Sequence, residues 1–206
     1  MAEPIIVYTA ITNGYDLLRN DILCFTEEDF TAHRFLPEPN LNSLIFKILP
    51  HKFFYSDVSI YVDGNIYLQV EPEILVKEFL GKADIATWKH PYRKCVYQEG
   101  PYNFVRVIGD KEKEKKIILE QLEHYKKIGI SENFGLAEPN VIIRRHNKKV
   151  ARFNEAWWAE ICRWSYRDQI SFTIIAREFP DLKINLIDGN VRHHPYFKYI
   201  SHLKNA

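Results

Sequence analysis

The sequence predicts a mixed α/β fold in which a central sheet of six or seven strands carries helices on its flanks. Two observations lead there. Short apolar runs rich in β-branched residues end in polar turns, and between them lie longer segments with helical apolar spacing on a charged background. The first run, residues 4–10, is followed by Thr12-Asn13-Gly14-Tyr15-Asp16 and reads as a buried strand that delivers a polar loop. Open α/β sheets bind ligands at such carboxyl ends. Further strands are expected at 58–62, closed by Asp63-Gly64-Asn65, and at 84–88, 95–98, 104–108, 141–145 and 183–187. Helical spacing marks 72–80, 111–128, 154–164 and 169–179, most clearly through Ile117, Leu119, Leu122 and Tyr125 in the second of these.

No repeat, low-complexity tract or Gly/Ser linker interrupts the chain, so residues 1–206 are expected to form one domain. The balance of 28 Lys+Arg against 27 Asp+Glu leaves a formal charge of +1. That is no field for drawing in a nucleic-acid backbone, and a nucleic-acid partner is not expected; anion binding must be local. Three cysteines far apart, without a CxxC pair, argue against a disulfide framework or zinc knuckle and for a cytoplasmic location. The apolar start is too short for a secretory signal, and no apolar run approaches the ~20 residues of a membrane span.

Chemistry concentrates in a few places. In an extended chain Asp63 and Asn65 share a face, so two oxygens converge while Gly64 admits a ligand to the backbone, which with a nearby diphosphate suits a hard divalent ion. The same three residues equally suit a hairpin turn. Toward the other end, His193 and His194 stand among Arg192 and Lys198, one imidazole able to complete such a metal site and the basic groups able to neutralise phosphate. A third cluster runs from Trp157-Trp158 through Glu160, Trp164 and Tyr166 to Asp168-Gln169. Trp157, Ile161 and Trp164 recur at helical spacing and read as core, whereas Trp158 falls off that face. Asp168 either caps a helix that starts at Gln169 or, beside the carboxamide, holds sugar hydroxyls. His90 and Arg93 share a proline-broken loop suited to an anion, and alternation aims Arg144 and Arg145 at opposite faces, one of them inward.

Taken in order, Tyr8-Thr-Ala-Ile-Thr-Asn-Gly-Tyr-Asp16, Ser59-Ile-Tyr-Val-Asp-Gly-Asn-Ile66, Asp84-Ile-Ala-Thr-Trp-Lys-His-Pro-Tyr-Arg93, Arg144-Arg-His146, Trp157-Trp-Ala-Glu160 and Ser165-Tyr-Arg-Asp-Gln-Ile-Ser-Phe172 give a pattern that covers most of the chain. In it the chain resembles a family of GT-A type glycosyltransferases found in plants, bacteria and large viruses. In size and opening residues it is similar to a domain that builds viral capsid glycans. The resemblance implies a GT-A, Rossmann-like fold and transfer of a hexose from a UDP-sugar to a hydroxyl of a glycan or glycoprotein acceptor, with retention of configuration. It implies Mn2+ or Mg2+ bridging the diphosphate at Asp63 and Asn65, with His193 or His194 as a further ligand. The Asp-Gly-Asn pattern departs from the usual pair of acids, so the ion should bind weakly until the donor's phosphates arrive. Thr9, Ala10 and Tyr15 fall where uridine would sit, His90, Arg93 and Lys198 near the phosphates, and Asp168 and Gln169 at the donor sugar. Trp158, Glu160 and Tyr166 are left for the acceptor, whose apolar C–H faces suit aromatic rings.

Two other readings carry different consequences. A binding module for nucleotide-sugar or glycan would not consume a UDP-sugar at all, and a metal-dependent UDP-sugar hydrolase would consume it without an acceptor.

Overall fold

The computed structural model describes residues 5–29, 39–53, 55–104 and 111–202. Six strands form the central sheet: β1 (Ile6–Ala10), β2 (Leu23–Phe25), β3 (Val58–Val62), β5 (Ile85–Lys89), β6 (Ala137–Arg145) and β7 (Ile184–Ile187), in the order β2-β1-β3-β6-β5-β7. All its neighbouring pairs are parallel except those made by β6, which runs against both β3 and β5. The carboxyl ends of the parallel strands therefore share one edge with the beginning of β6. Burial on both faces explains why β3 reads as a continuous apolar run and not as an alternating one.

One face is covered by α1 (Pro39–Ile48), α5 (Lys148–Arg163) and α6 (Asp168–Ala176), whose apolar residues pack on Tyr8, Tyr61 and Ile142. The other meets α2 (Pro72–Leu75), continued through a π-helical turn to Leu80, and a small ladder of β4 (Ile66–Leu68) with β8 (Phe197–Tyr199). A third cluster joins α3 (Val96–Asn103), α4 (Lys111–Lys127) and α6.

The mixed α/β architecture agrees with the sequence, while several local expectations do not. Residues 95–98 open α3 instead of a strand: Gly100 packs so closely on α4 that a Cβ there would stand 2.6 Å from Leu122 Cδ1. Strand 104–108 lies, beyond Phe104, outside the described residues. In α4 the buried stripe is Ile118, Gln121, Leu122 and Tyr125, and Leu119 is exposed. The apolar count missed this because a polar residue belongs to the stripe; the Gln121 carboxamide donates to Tyr125 Oη and accepts from Ser165 Oγ, both at 2.8 Å. α5 starts earlier than 154 because the Asn147 side chain caps it, accepting from Val150 N–H at 3.0 Å. The three-residue strands β2, β4 and β8 are too short to show a period, and α1 went unread.

At the end of the sheet remote from that shared edge, His146 Nε2 meets Ser59 Oγ at 2.8 Å. Burial, then the charges of Arg144 and His51, hold this imidazole down at about 4. The folded value lies below that of an unfolded histidine, so the unfolded chain takes up the proton first and stability falls as pH drops from about 6.5 toward 4. After discounting for partial exposure, the loss between pH 7.5 and 5 should be about 1–2 kcal/mol. Denaturant titrations at the two pH values check it, and His146→Gln should flatten that slope; a parallel loss in the variant would assign the acid sensitivity elsewhere.

Candidate active site

At the carboxyl end of β3 the chain turns back, with Ile66 N–H bonded to Asp63 C=O at 2.9 Å. Asp63-Gly64-Asn65 is thus a tight turn but not a hairpin, since β3 and β4 lie in different sheets and neither Gly64 nor Asn65 has a positive φ, and across it the side chains of Asp63 and Asn65 diverge. Gly64 is required by the protein itself: an added Cβ would meet Ile11 Cγ1 at 2.8 Å and Asp16 Oδ2 at 3.0 Å.

The Asp63 carboxylate points to the helical face. Its Oδ1 accepts from Lys47 Nζ and from Tyr61 Oη, each at 3.1 Å. The same ammonium lies 2.7 Å from Asp168 Oδ2, so Lys47, on the last turn of α1, ties the end of β3 to the start of α6. Burial pulls the Lys47 pKa down, but Asp168 and Asp63 outweigh it and hold the amine above its ordinary value. Burial raises the Asp63 carboxyl, against the opposing pull of Lys47.

Lys47 is itself anchored. Arg144, fully buried, donates to the Lys47 and Ile48 carbonyls at the end of α1 and, at 3.1 Å, to Tyr8 Oη, which in turn donates to Lys47 C=O. The inward arginine therefore satisfies a helix carboxyl terminus, where a cation is favoured, and not a carboxylate. Arg145, on the other face, donates to the carbonyls of Gly81 and Ala83. Across from Asp63, whose N–H bonds to Asn140 C=O at 2.8 Å, the Asn140 side chain is buried with neither amide atom hydrogen-bonded among the described residues. A buried carboxamide without a hydrogen bond among the described residues is an exception to the usual pairing of buried polar groups, and it lies next to the end of β3.

On the opposite side of the turn stands His202. Its Nδ1 lies 2.9 Å from Asp16 Oδ1, its Nε2 3.3 Å from Asn65 Nδ2, and its ring 4.7 Å from that of Tyr15. The histidine that the fold brings to Asp63-Gly64-Asn65 is thus His202. His193 is exposed on a short 3-10 turn, and His194 is packed among Phe79, Trp88, Tyr196 and Phe197.

Of the residues singled out in the sequence, the fold unites Asp63 with Asp168 through Lys47, and Asn65 with Tyr15 through His202. Thr9 and Ala10 are buried in β1, and Gln169 follows Asp168 half-buried, its N–H bonded to Asp168 Oδ1 at 2.9 Å. The remaining ones stand apart from these contacts. His90 Nδ1 accepts from the Tyr92 and Arg93 N–H groups, and Arg93 pairs with the buried Glu99. Lys198 is exposed on β8. Glu160 accepts from Tyr125 Oη at 2.8 Å, Tyr166 is buried in the cluster around α4, and Trp158 packs half-buried against the core cluster of the helical face.

The sequence alone gives Lys47, Asn140 and His202 no role, and gives Asp16 and Tyr61 only places in the loop after β1 and in β3. The apolar spacing of Leu41, Leu44, Ile45 and Ile48 would have marked α1, and a lysine inside that stripe was the signal. Asn140 and His202 carry no local pattern. Among the described residues no group of three His, Cys, Asp or Glu side chains is placed to hold a metal ion, and no helix is long and apolar enough to cross a membrane.

Comparison with known proteins follows the same lines. The family described as TOD1/MUCI70, glycosyltransferase-like domain, matches residues 31–200. Alkaline ceramidase TOD1 of Arabidopsis thaliana is 26% identical over 175 residues, which is 81% of this chain and 38% of that protein. Probable hexosyltransferase MUCI70 of the same plant is 28% identical over 145 residues, 65% of this chain and 24% of its own length. The chain thus spans well under half of either relative. Mouse xyloside xylosyltransferase 1, in its apo form, superposes with a TM-score of 0.44 at 14% identity, covering 81% of this chain and 63% of the mouse chain.

Proposed function

The chain belongs to the TOD1/MUCI70 glycosyltransferase-like domain family, and from that premise we propose that it moves a hexose from a UDP-sugar to a hydroxyl of a glycan or glycoprotein, a capsid glycan being one such acceptor. The observation that carries this reading is the Lys47 ammonium held between Asp63 and Asp168 at the ligand-binding edge of the sheet. Transfer breaks the bond between the anomeric carbon and the diphosphate, whose oxygen keeps the electron pair. The acceptor oxygen bonds to that carbon and its proton passes to the departing phosphate. Charge therefore develops on the diphosphate, and a fixed cation in a site poor in water stabilises it without reorganising. Asp168 and Asn140 offer oxygen and amide groups for sugar hydroxyls, and Tyr15 a ring for uracil. If configuration is retained, then with Asp168 tied to Lys47 and Gln169 a poor nucleophile, departure of UDP with attack from the same face is favoured over a covalent intermediate.

Around the turn, Asp16, Asn65 and His202 lie on one side and Asp63 on the other, oxygen donors and one imidazole of the kinds that suit Mn2+ or Mg2+ but not converging on one point. They do not form a closed cage, which fits an ion shared with the donor's phosphates. When bound, such an ion supplies Lewis-acid stabilisation of the leaving group. Trp158 is retained as an acceptor platform.

The ceramidase name of one relative raises hydrolysis. The Ser59–His146 contact has nucleophile–base geometry, but Ser59 is fully buried in β3, so it gives that reading no support.

Calorimetry with UDP tests the proposal. Affinity should be at least about tenfold higher with Mn2+ than with chelator, and Asp63→Ala should erase the difference; equal affinities in the unmutated protein would overturn the shared ion. UDP-sugar turnover with and without an acceptor then separates transfer from hydrolysis and from mere binding.

A further inference from the structure

The loop that leaves the carboxyl end of β5 is held by more buried polar groups than an exposed loop needs. Pro91 fixes its backbone, and His90 Nδ1 accepts both the Tyr92 and the Arg93 N–H, at 3.1 and 3.0 Å. The His90 proton is therefore on Nε2, 3.5 Å from the buried Glu99 carboxylate of α3, which also takes Arg93 Nε and, at 2.8 Å, Asn103 Nδ2. From the turn after β7, Arg192 meets the buried Glu138 through two bonds of 2.8 and 3.0 Å. Asn190 accepts from Arg192 N–H and donates to Tyr92 Oη at 3.0 Å.

What this framework holds outward is a pair of rings. Tyr92 is 70% exposed and Tyr102 39%, and the Arg93 guanidinium backs the Tyr102 ring at 3.8 Å from its centre. Arg93, Arg192 and Lys89 each already have a carboxylate partner, so the surface has little to draw a phosphate or an acidic chain. An uncharged sugar suits it: apolar C–H faces pack on the rings, and Tyr92 Oη, which accepts from Asn190, keeps its own proton for a sugar hydroxyl. The place in the fold also fits. β3 and β5 run the same way on either side of β6, so this loop and the Asp63 turn open on one edge of the sheet. His90 N–H is anchored at Leu136 C=O and Asp63 N–H at Asn140 C=O, which on ordinary strand spacings sets the two roughly 15 Å apart, within reach of one short oligosaccharide.

We propose that Tyr92 and Tyr102 form a remote acceptor subsite, on which a neutral sugar unit stacks at a distance from the hydroxyl that receives the hexose. His90, Arg93, Glu99 and Asn190 are its positioning residues, since they fix the rings without presenting charge. The inference rests on the glycan-acceptor reading above and goes beyond it by naming where a longer acceptor is held, so that chain length and not only the terminal sugar sets acceptor preference.

The test offers cellotriose, mannotriose and xylotriose, beside glucose, mannose and xylose, as acceptors with UDP-glucose and UDP-galactose as donors. It uses the unmutated protein, Tyr92→Ala, Tyr92→Trp and Tyr102→Ala, and saturation-transfer NMR records binding of the same sugars without donor. At least one trisaccharide should be a better acceptor than its monosaccharide. Tyr92→Ala should raise the KM for that trisaccharide about tenfold and Tyr102→Ala severalfold, the scale of a lost ring contact, with kcat, UDP affinity and monosaccharide kinetics unchanged. Tyr92→Trp, which keeps a ring, should hold the KM near that of the unmutated protein. Thermal melts identify a variant that fails to fold, and Tyr102→Ala and Tyr92→Trp then carry the comparison. Transfer to trisaccharides with a KM that neither alanine variant changes would overturn the subsite and leave the transferase reading standing. Trisaccharide binding that Tyr92→Ala abolishes, with no transfer to any acceptor, would keep the subsite and overturn transfer. Neither binding nor transfer would overturn both.

Discussion

Asp168→Asn is expected to lower the transfer rate at least about a hundredfold while changing UDP affinity by no more than severalfold, a loss of the size seen when one preorganised electrostatic partner is removed from an active site. The substitution keeps the oxygen that accepts the Gln169 N–H, so the start of α6 should survive and the melting temperature should move little. What it removes is the charge 2.7 Å from Lys47, leaving that amine to Asp63 alone. Asp168→Ala adds the loss of the side-chain bond to the helix start, about 1 kcal/mol by analogy with helix caps. Turnover per folded molecule, measured beside a melt, separates the outcomes. Normal turnover with a lowered melt would reduce Asp168 to a structural residue.

Trp157→Ala should destabilise the fold more than any of the substitutions at the candidate site, at roughly 3–5 kcal/mol. The indole is fully buried, meets Phe172 edge-on at 4.9 Å between ring centres, and donates through Nε1 to Ser171 Oγ at 3.0 Å. A loss of that size is a large part of the roughly 5–15 kcal/mol that holds a typical domain together. Ser171 Oγ donates in turn to Asp168 C=O at 3.2 Å, which makes a continuous relay from the core of α5 to the backbone of the candidate catalytic residue. Trp157→Phe keeps most of the volume and cuts the relay. It should cost about 1–2 kcal/mol, near what a lost buried hydrogen bond costs, and still reduce turnover of the folded fraction severalfold. Urea titrations and kinetics on both variants check this, and unchanged turnover in Trp157→Phe would show that the relay does not reach the site.

These residues also show what a sequence discloses. Trp157 and Ile161 declare themselves as core because helical spacing is local, and Asp63 and Asp168 stand out because an acid next to an amide after an apolar run, or at a helix start, is a local pattern too. Lys47 could not be tied to either acid that way, since the contact depends on α1 packing across β1 and β3. The choice between histidines was equally out of reach. His193-His194 is the conspicuous pair, but the β4–β8 ladder carries the chain past it and sets His202 at the turn. The conspicuous pair lies elsewhere, His193 exposed and His194 half-buried among aromatic rings. His90 and Arg93 misled for a related reason: a basic loop reads as an anion site until the partner it already has, Glu99 on α3, is brought against it.

The pairing of Asp16 with His202 spans 186 residues of chain. Contacts of that separation close late in folding, because most of the loop entropy must already have been offset by other structure. The central sheet and the Lys47 bridge use no residue beyond Ile187, so the core can form before His202 is in place. The side of the turn that carries His202 is therefore finished last. Cleavage after residue 200 should remove the histidine from the turn while leaving the central sheet folded.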